Sequence, residues 1–247
     1  MNTRIAPLLL AVACSSTPVS ETPGAPSVED VTAEVVRVTT RDGVDLVGDL
    51  YDRGAGAPAV LLLHMTPKGP WNRTDWSPSF VADLGAAGLT VLAIDRRGAG
   101  ASGGSAADAF TGPNGKLDVA ASTQLLTERG ATDIWIVGAS NGTTSMVDYT
   151  AAASTEGWPS PRGLVYFTGG TYTENQTSLA DLTVLPSLFV YGTAEADWSE
   201  SYLGQNDGVW RFEAIPDGAH GTRMFEGPED AQVRALIAGW LAEAAAL

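Results

Sequence analysis

Scarcity is the first thing to read in this 247-residue chain. It holds one cysteine (Cys14), two histidines (His64 and His220) and two lysines (Lys68 and Lys116). A single cysteine excludes an intrachain disulfide. So few imidazoles and thiols make a poor ligand set for zinc, and no metal site is expected. With 14 Lys and Arg against 29 Asp and Glu, the formal charge is −15. A phosphate backbone would repel such a surface, which argues against nucleic acid as a partner. The N-terminal apolar run, Ile5 to Ala13, has the length of a signal-peptide core and is too short to cross a bilayer.

That run ends in Leu10-Ala11-Val12-Ala13-Cys14, small residues before the only cysteine. It resembles a bacterial lipoprotein signal with its lipobox. The resemblance implies a signal peptide over residues 1–13, lipidation of Cys14, and anchoring in the bacterial cell envelope, outside the cytoplasm. Simple secretion is the alternative. Residues 14–30, rich in Ser, Thr and Pro, read as a flexible tether. The membrane is then a partner through the lipid anchor alone.

What remains, residues 31–247, is long enough to bury a full core as one α/β domain. Val35–Thr40 and Val44–Tyr51 flank Asp42-Gly43, a hairpin signal. Ala57–His64, Leu89–Asp95, Ile134–Val137, Gly163–Phe167, Ser187–Tyr191 and Val209–Ile215 read as further strands. Ser79–Ala87, Leu117–Arg129, Thr143–Ala153 and Asp230–Ala245 read as helices. Alternation of this kind predicts a mostly parallel sheet with helices on both faces, after an antiparallel start.

The stretch with the most chemistry is Ile134-Trp135-Ile136-Val137-Gly138-Ala139-Ser140-Asn141-Gly142. A buried strand runs into G-x-S-x-G and then into a helix, the context a nucleophile elbow requires. Glycines on either side of Ser140 let strand and helix pack close. A second glycine cluster, Gly98, Gly100 and Gly103 after a strand, matches the dinucleotide pattern G-x-G-x-x-G, and Asp118 follows about 20 residues on. That fingerprint needs a helix opening on the glycines. Here Gly104, Pro113 and Gly115 follow, so an irregular loop is expected and no cofactor.

Asp95-x-Arg97-Gly98-x-Gly100-x-Ser102 resembles the loop after the fourth strand of α/β-hydrolases. With His64 closing the preceding strand and the Ser140 elbow, residues 35–245 are similar to that family. The resemblance implies the order Ser, acid, His. His220, in Pro216-Asp217-Gly218-Ala219-His220-Gly221, then stands as the base. The acid lies in Gly192-Thr193-Ala194-Glu195-Ala196-Asp197, where the family offset from Gly192 selects Glu195. Asp197 is the alternative, although it also reads as the N-cap of a helix beginning at Trp198. His64 takes a structural role by the same match. The resemblance implies oxyanion donors at the amides of Asn141 and Thr66, with Met65 possible. Trp71 and Trp76 either line an acyl pocket or simply pack. Between Gly170 and Leu182 there is no room for a cap domain, so an open site is expected. These readings converge on a serine hydrolase of carboxylic esters, with a small-molecule ester as substrate. A thioesterase, amidase or peptidase would carry the same constellation, and a catalytically silent binding lipoprotein is the rival of another class.

Overall fold

The computed structural model describes residues 32–179 and 182–246. Cys14, the signal segment and the whole of the tether lie outside the described residues. Eight strands form one sheet: β1 (Glu34–Thr39), β2 (Asp45–Tyr51), β3 (Ala59–Leu63), β4 (Thr90–Ile94), β5 (Ile134–Ala139), β6 (Gly163–Phe167), β7 (Ser187–Gly192) and β8 (Trp210–Ile215). Their spatial order is β1-β2-β4-β3-β5-β6-β7-β8. β1 pairs with β2, and β2 with β4, antiparallel; every later pairing is parallel. The hairpin turn works as its sequence suggests, with Gly43 at φ +81°.

Among the described residues seven α-helices accompany the sheet: α1 (Pro78–Ala86), α2 (Ala106–Phe110), α3 (Gly115–Glu128), α4 (Gly142–Glu156), α5 (Glu174–Thr177), α6 (Asp197–Glu200) and α7 (Asp230–Ala245). All five residues of β3 and of β4 are buried, because both faces of the sheet are covered. Alternation along the strands divides the core. Leu61, Leu63, Leu92, Ile94 and Ile136 face the layer holding Val119, Leu126, Met146 and Val147 of α3 and α4. Val60, Leu62, Val91, Ala93 and Val137 face the opposite layer, with Phe80, Leu84, Val233, Ile237 and Leu241 of α1 and α7. Each large aliphatic buried this way contributes about 1.5–3 kcal/mol against exposure. The two layers clamp β3 and β5 at the centre of the sheet.

One expectation is corrected. The chain after Gly103 does not stay irregular, because α2 begins at Ala106, directly after Ser105 in extended backbone. The glycine cluster nevertheless encloses the protein's own groups. Asp95 accepts the N–H groups of Arg73 (2.8 Å) and Ala101 (2.7 Å), and the Ser102 hydroxyl donates to the Asp95 carbonyl (2.7 Å). Among the described residues no helix is long and apolar enough to cross a membrane.

Candidate active site

β5 and α4 meet at Ser140, whose φ of +49° puts a non-glycine residue in the left-handed region. The tightness of the joint explains its glycines. A Cβ on Gly142 would stand 2.3 Å from the Leu63 carbonyl oxygen, and one on Gly138 2.8 Å from the Thr143 backbone. The turn is tied to its neighbour strand by Ser140 N–H donating to the Phe167 carbonyl (2.8 Å), and to its helix by Thr143 N–H and Oγ1 donating to the Ser140 carbonyl (3.0 and 2.6 Å). Ser140 is thereby held at the carboxyl end of the sheet, 5% exposed.

The carboxyl ends of β7 and β8 bring two more groups to that point. Ser140 Oγ lies 2.6 Å from His220 Nε2, and His220 Nδ1 lies 2.6 Å from a Glu195 carboxylate oxygen. An acceptor-only carboxylate on Nδ1 assigns the ring proton there, which leaves Nε2 to accept from the serine hydroxyl. The His220 loop is pinned on both sides: Ala219 N–H donates to Glu229 (3.1 Å) and Gly221 N–H to Thr168 Oγ1 (3.1 Å). Glu195 closes a single 3-10 turn, Thr193–Glu195, directly after β7.

Of the two acids named from the sequence, the structure brings Glu195 to the histidine. Asp197 is exposed on the first turn of α6 and is not bonded to His220 among the described residues. Its expected capping role is also corrected. Ala196 is the N-cap, already helical at φ −75° and ψ −28°, and no side chain caps the helix. The 3-10 turn runs straight into α6, so no extended cap residue precedes Asp197.

On the other side of Ser140 lies the loop after β3. His64 is fully buried and its Nε2 accepts the Arg96 N–H (2.9 Å). Burial and the nearby Arg96 guanidinium hold its pKa well below the ordinary value, so it stays neutral. It takes no part in the Ser140 contacts. The backbone amides of Met65, Thr66 and Asn141 have no acceptor among the described residues. Trp76 is 3% exposed and stacks on Phe80, so it packs into the core. Trp71 is half-buried, with the Arg223 guanidinium 5.3 Å over its ring.

Two residues near Ser140 were not singled out from the sequence. Tyr172 places its hydroxyl 3.4 Å from Ser140 Oγ. Gln176, fully buried, holds it there by accepting the Tyr172 N–H (3.1 Å) while donating to Thr143 Oγ1 (2.7 Å). Their position just beyond β6, at the end of the sheet where ligands bind in open α/β folds, was the available signal.

No family model matches the chain, and no curated protein does. Solved structures do. An esterase of Pyrococcus furiosus superimposes with a TM-score of 0.68 at 16% identity, over 92% of this chain and 96% of that one. A dienelactone hydrolase of Anabaena variabilis gives 0.66 at 21% identity, over 86% and 98%. An α/β serine hydrolase without a lid, from Xanthomonas campestris, gives 0.63 at 18%, over 85% and 94%. The fold is that of the α/β-hydrolases. In this α/β-hydrolase fold the connection from β6 to β7 carries, among the described residues, only the four-residue α5 as a regular α-helix. That matches the expected absence of a sizeable cap.

Proposed function

We propose that the protein is a serine hydrolase that cleaves carboxylic esters through an acyl-enzyme at Ser140. The observation that carries this reading is the unbroken chain of short contacts from Ser140 Oγ through His220 to Glu195. A serine is a weak nucleophile at neutral pH and needs a base oriented by a third group. His220 Nε2 takes the hydroxyl proton as Oγ attacks the acyl carbon. Glu195 holds the imidazole in the useful tautomer and stabilises its charged form. The Asn141 and Thr66 amides receive the oxyanion, with Met65 as the alternative donor. Collapse breaks the acyl C–O bond, and the alcohol leaves with the proton from His220. Water, activated by the same nitrogen, then releases the acid and restores Ser140.

The short β6–β7 connection favours bulky or extended substrates, since little covers the site. Esterases and a dienelactone hydrolase among the similar structures support the ester over the amide. Intact Ser140, His220 and Glu195 speak against a silent binding protein. For the N-terminus, the lipobox-like segment supports a lipid anchor at Cys14 that tethers the domain to the cell envelope.

A serine-directed fluorophosphonate tests the mechanism. It should label Ser140 in the wild type and not in Ser140→Ala. Turnover of short-chain esters should survive in that variant only at the residual level of binding and oxyanion donors, roughly 10³–10⁴ over water in the worked triad. Esterase activity that survives Ser140→Ala unchanged would rule the mechanism out. A parallel panel of thioesters and amides separates the ester reading from its relatives.

A further inference from the structure

Arg96 and Arg97 are the largest fully buried side chains among the described residues, and they are balanced differently. Arg97 lies between two carboxylates, Asp118 and Asp42, each at 2.7 Å. Arg96 has no carboxylate within ion-pair range among the described residues. Its Nη1 donates to the Met65 carbonyl (2.9 Å) and to Asn141 Oδ1 (3.1 Å), with the His64 carbonyl at 3.4 Å. Its Nη2 donates to the Ala109 carbonyl (2.8 Å) and Ser145 Oγ (2.9 Å), and its Nε has no acceptor. Burial brings its pKa down to about 10, so it is charged at neutral pH. A sealed cation held only by dipoles is costly, and the fold retains it beside the two segments that face Ser140.

The contacts give a reason. The Met65 carbonyl and the Thr66 N–H belong to one planar trans peptide, and they point in opposite directions. Anchoring the oxygen on Nη1 therefore aims the N–H away from the guanidinium. The same hydrogen bond polarises the peptide and makes its N–H a stronger donor. Nη1 also holds the side chain of Asn141, whose own amide directly follows the nucleophile. We infer that Arg96 is a positioning residue for the oxyanion: it fixes the Met65–Thr66 peptide and Asn141, and supplies positive potential beneath the negative charge that develops on the substrate oxygen. This rests on the serine-hydrolase reading above.

The intact protein tests both, in sequence. Fluorophosphonate labelling of the wild type comes first; a wild type that is not labelled removes the hydrolase reading and this inference with it. With labelling in hand, Arg96→Lys keeps a charge but offers one ammonium that cannot span the acceptors of a guanidinium. Its kcat should fall on the order of 100-fold, as for a lost oxyanion donor, with KM within about threefold. Inhibition by an alkylboronic acid, whose tetrahedral adduct on Ser140 is anionic, should weaken by the same factor. A folded Arg96→Lys with kcat and boronate affinity of the wild type overturns the inference alone, as does a rise in KM at constant kcat. If Arg96→Lys does not fold, Asn141→Ala decides, because it keeps the guanidinium and removes one of its acceptors. A parallel loss of kcat and boronate affinity at constant KM supports the inference, and parity with the wild type overturns it.

Discussion

The two sides of the Ser140 site are built in opposite ways. On one side Ser140, Asn141, His64 and Arg96 are 5% exposed or less, fixed by β3, β4, β5 and α4 at the middle of the sheet. On the other side the His220 and Glu195 side chains keep 36% and 43% of their exposure, on loops that leave the last two strands. In the proposed mechanism the nucleophile and oxyanion donors have to be in place before the substrate arrives, which burial between central strands would achieve. A base and its orienting acid need only the right partner at the right distance, which pinned surface loops can supply. On that proposal, side chains on the buried side carry stability together with function, whereas Glu195 on the open side carries function with little stability.

The largest effect expected from this contrast is at Glu195. Glu195→Gln keeps shape and hydrogen-bonding reach but no longer fixes the tautomer or stabilises the imidazolium. It should lower kcat by roughly 10⁴-fold, the size of the corresponding loss in the worked triad. Thermal unfolding should stay within a degree or two of the wild type, because a polar contact this exposed contributes little. Asp197→Ala should leave kcat within about twofold, since its side chain neither caps α6 nor meets His220. Steady-state kinetics with a melting curve for each variant reads both. A large kinetic loss in the Asp197 variant that spares the Glu195 one would reverse the assignment, and a melting point lowered by Glu195→Gln would break the contrast itself.

The buried side should answer the other way. Asp118 is sealed against Arg97, accepting from its Nε (2.7 Å) and its backbone N–H (2.9 Å). Burial pushes the Asp118 carboxyl above the ordinary range despite that partner. Asp118→Asn removes one charge of a buried pair and leaves Arg97 leaning on Asp42 alone. Such a loss costs about 3–5 kcal/mol, which for a chain of this length lowers Tm by roughly 10 °C. Denaturant unfolding followed by tryptophan fluorescence would measure it. A shift below 1 kcal/mol would mean that the pair is not balanced as its distances suggest.

The parts legible in the sequence were those fixed by short-range sterics. Gly138 and Gly142 flank Ser140 because a Cβ at either would meet the backbone, so the elbow could be read from these glycines together with the strand before and the helix after them. The all-apolar strands and α7, Asp230–Ala245, were equally visible from their patterns. Glu195 was preferred to Asp197 on the family's offset from Gly192, and the single 3-10 turn after β7 is what brings its side chain to His220. α2 escaped notice because five residues, Ala106–Phe110, are too few to show a helical period. Tyr172, Gln176 and Arg96 escaped for a different reason. Arg96 meets Asn141 across 45 positions and Gln176 meets Thr143 across 33, and no local pattern records a partnership that only the closed sheet creates.

The smallest expected effect lies where the buried charge pair reaches the surface. Asp42 joins Arg97 from the β1–β2 turn, and the Arg97 guanidinium, together with the Thr40 hydroxyl, lowers its pKa to about 2. An unfolded chain would titrate this group near the ordinary aspartate value of about 3.9. The unfolded state therefore binds the proton first as pH falls, and the ionised pair stabilises the fold fully above that value. The contribution is lost between about pH 4 and pH 2, as acid approaches the folded pKa. Asp42→Asn should thus lower stability slightly at pH 7 and make stability less dependent on pH below 4. Because the Asp42 side chain keeps 31% of its exposure, the effect should be well short of that of Asp118→Asn. Urea midpoints measured at pH 7, 4 and 3 for both proteins test this. A wild-type-minus-variant difference that grows as pH falls from 4 to 3 would show that the Arg97–Asp42 contact does not hold the carboxylate ionised.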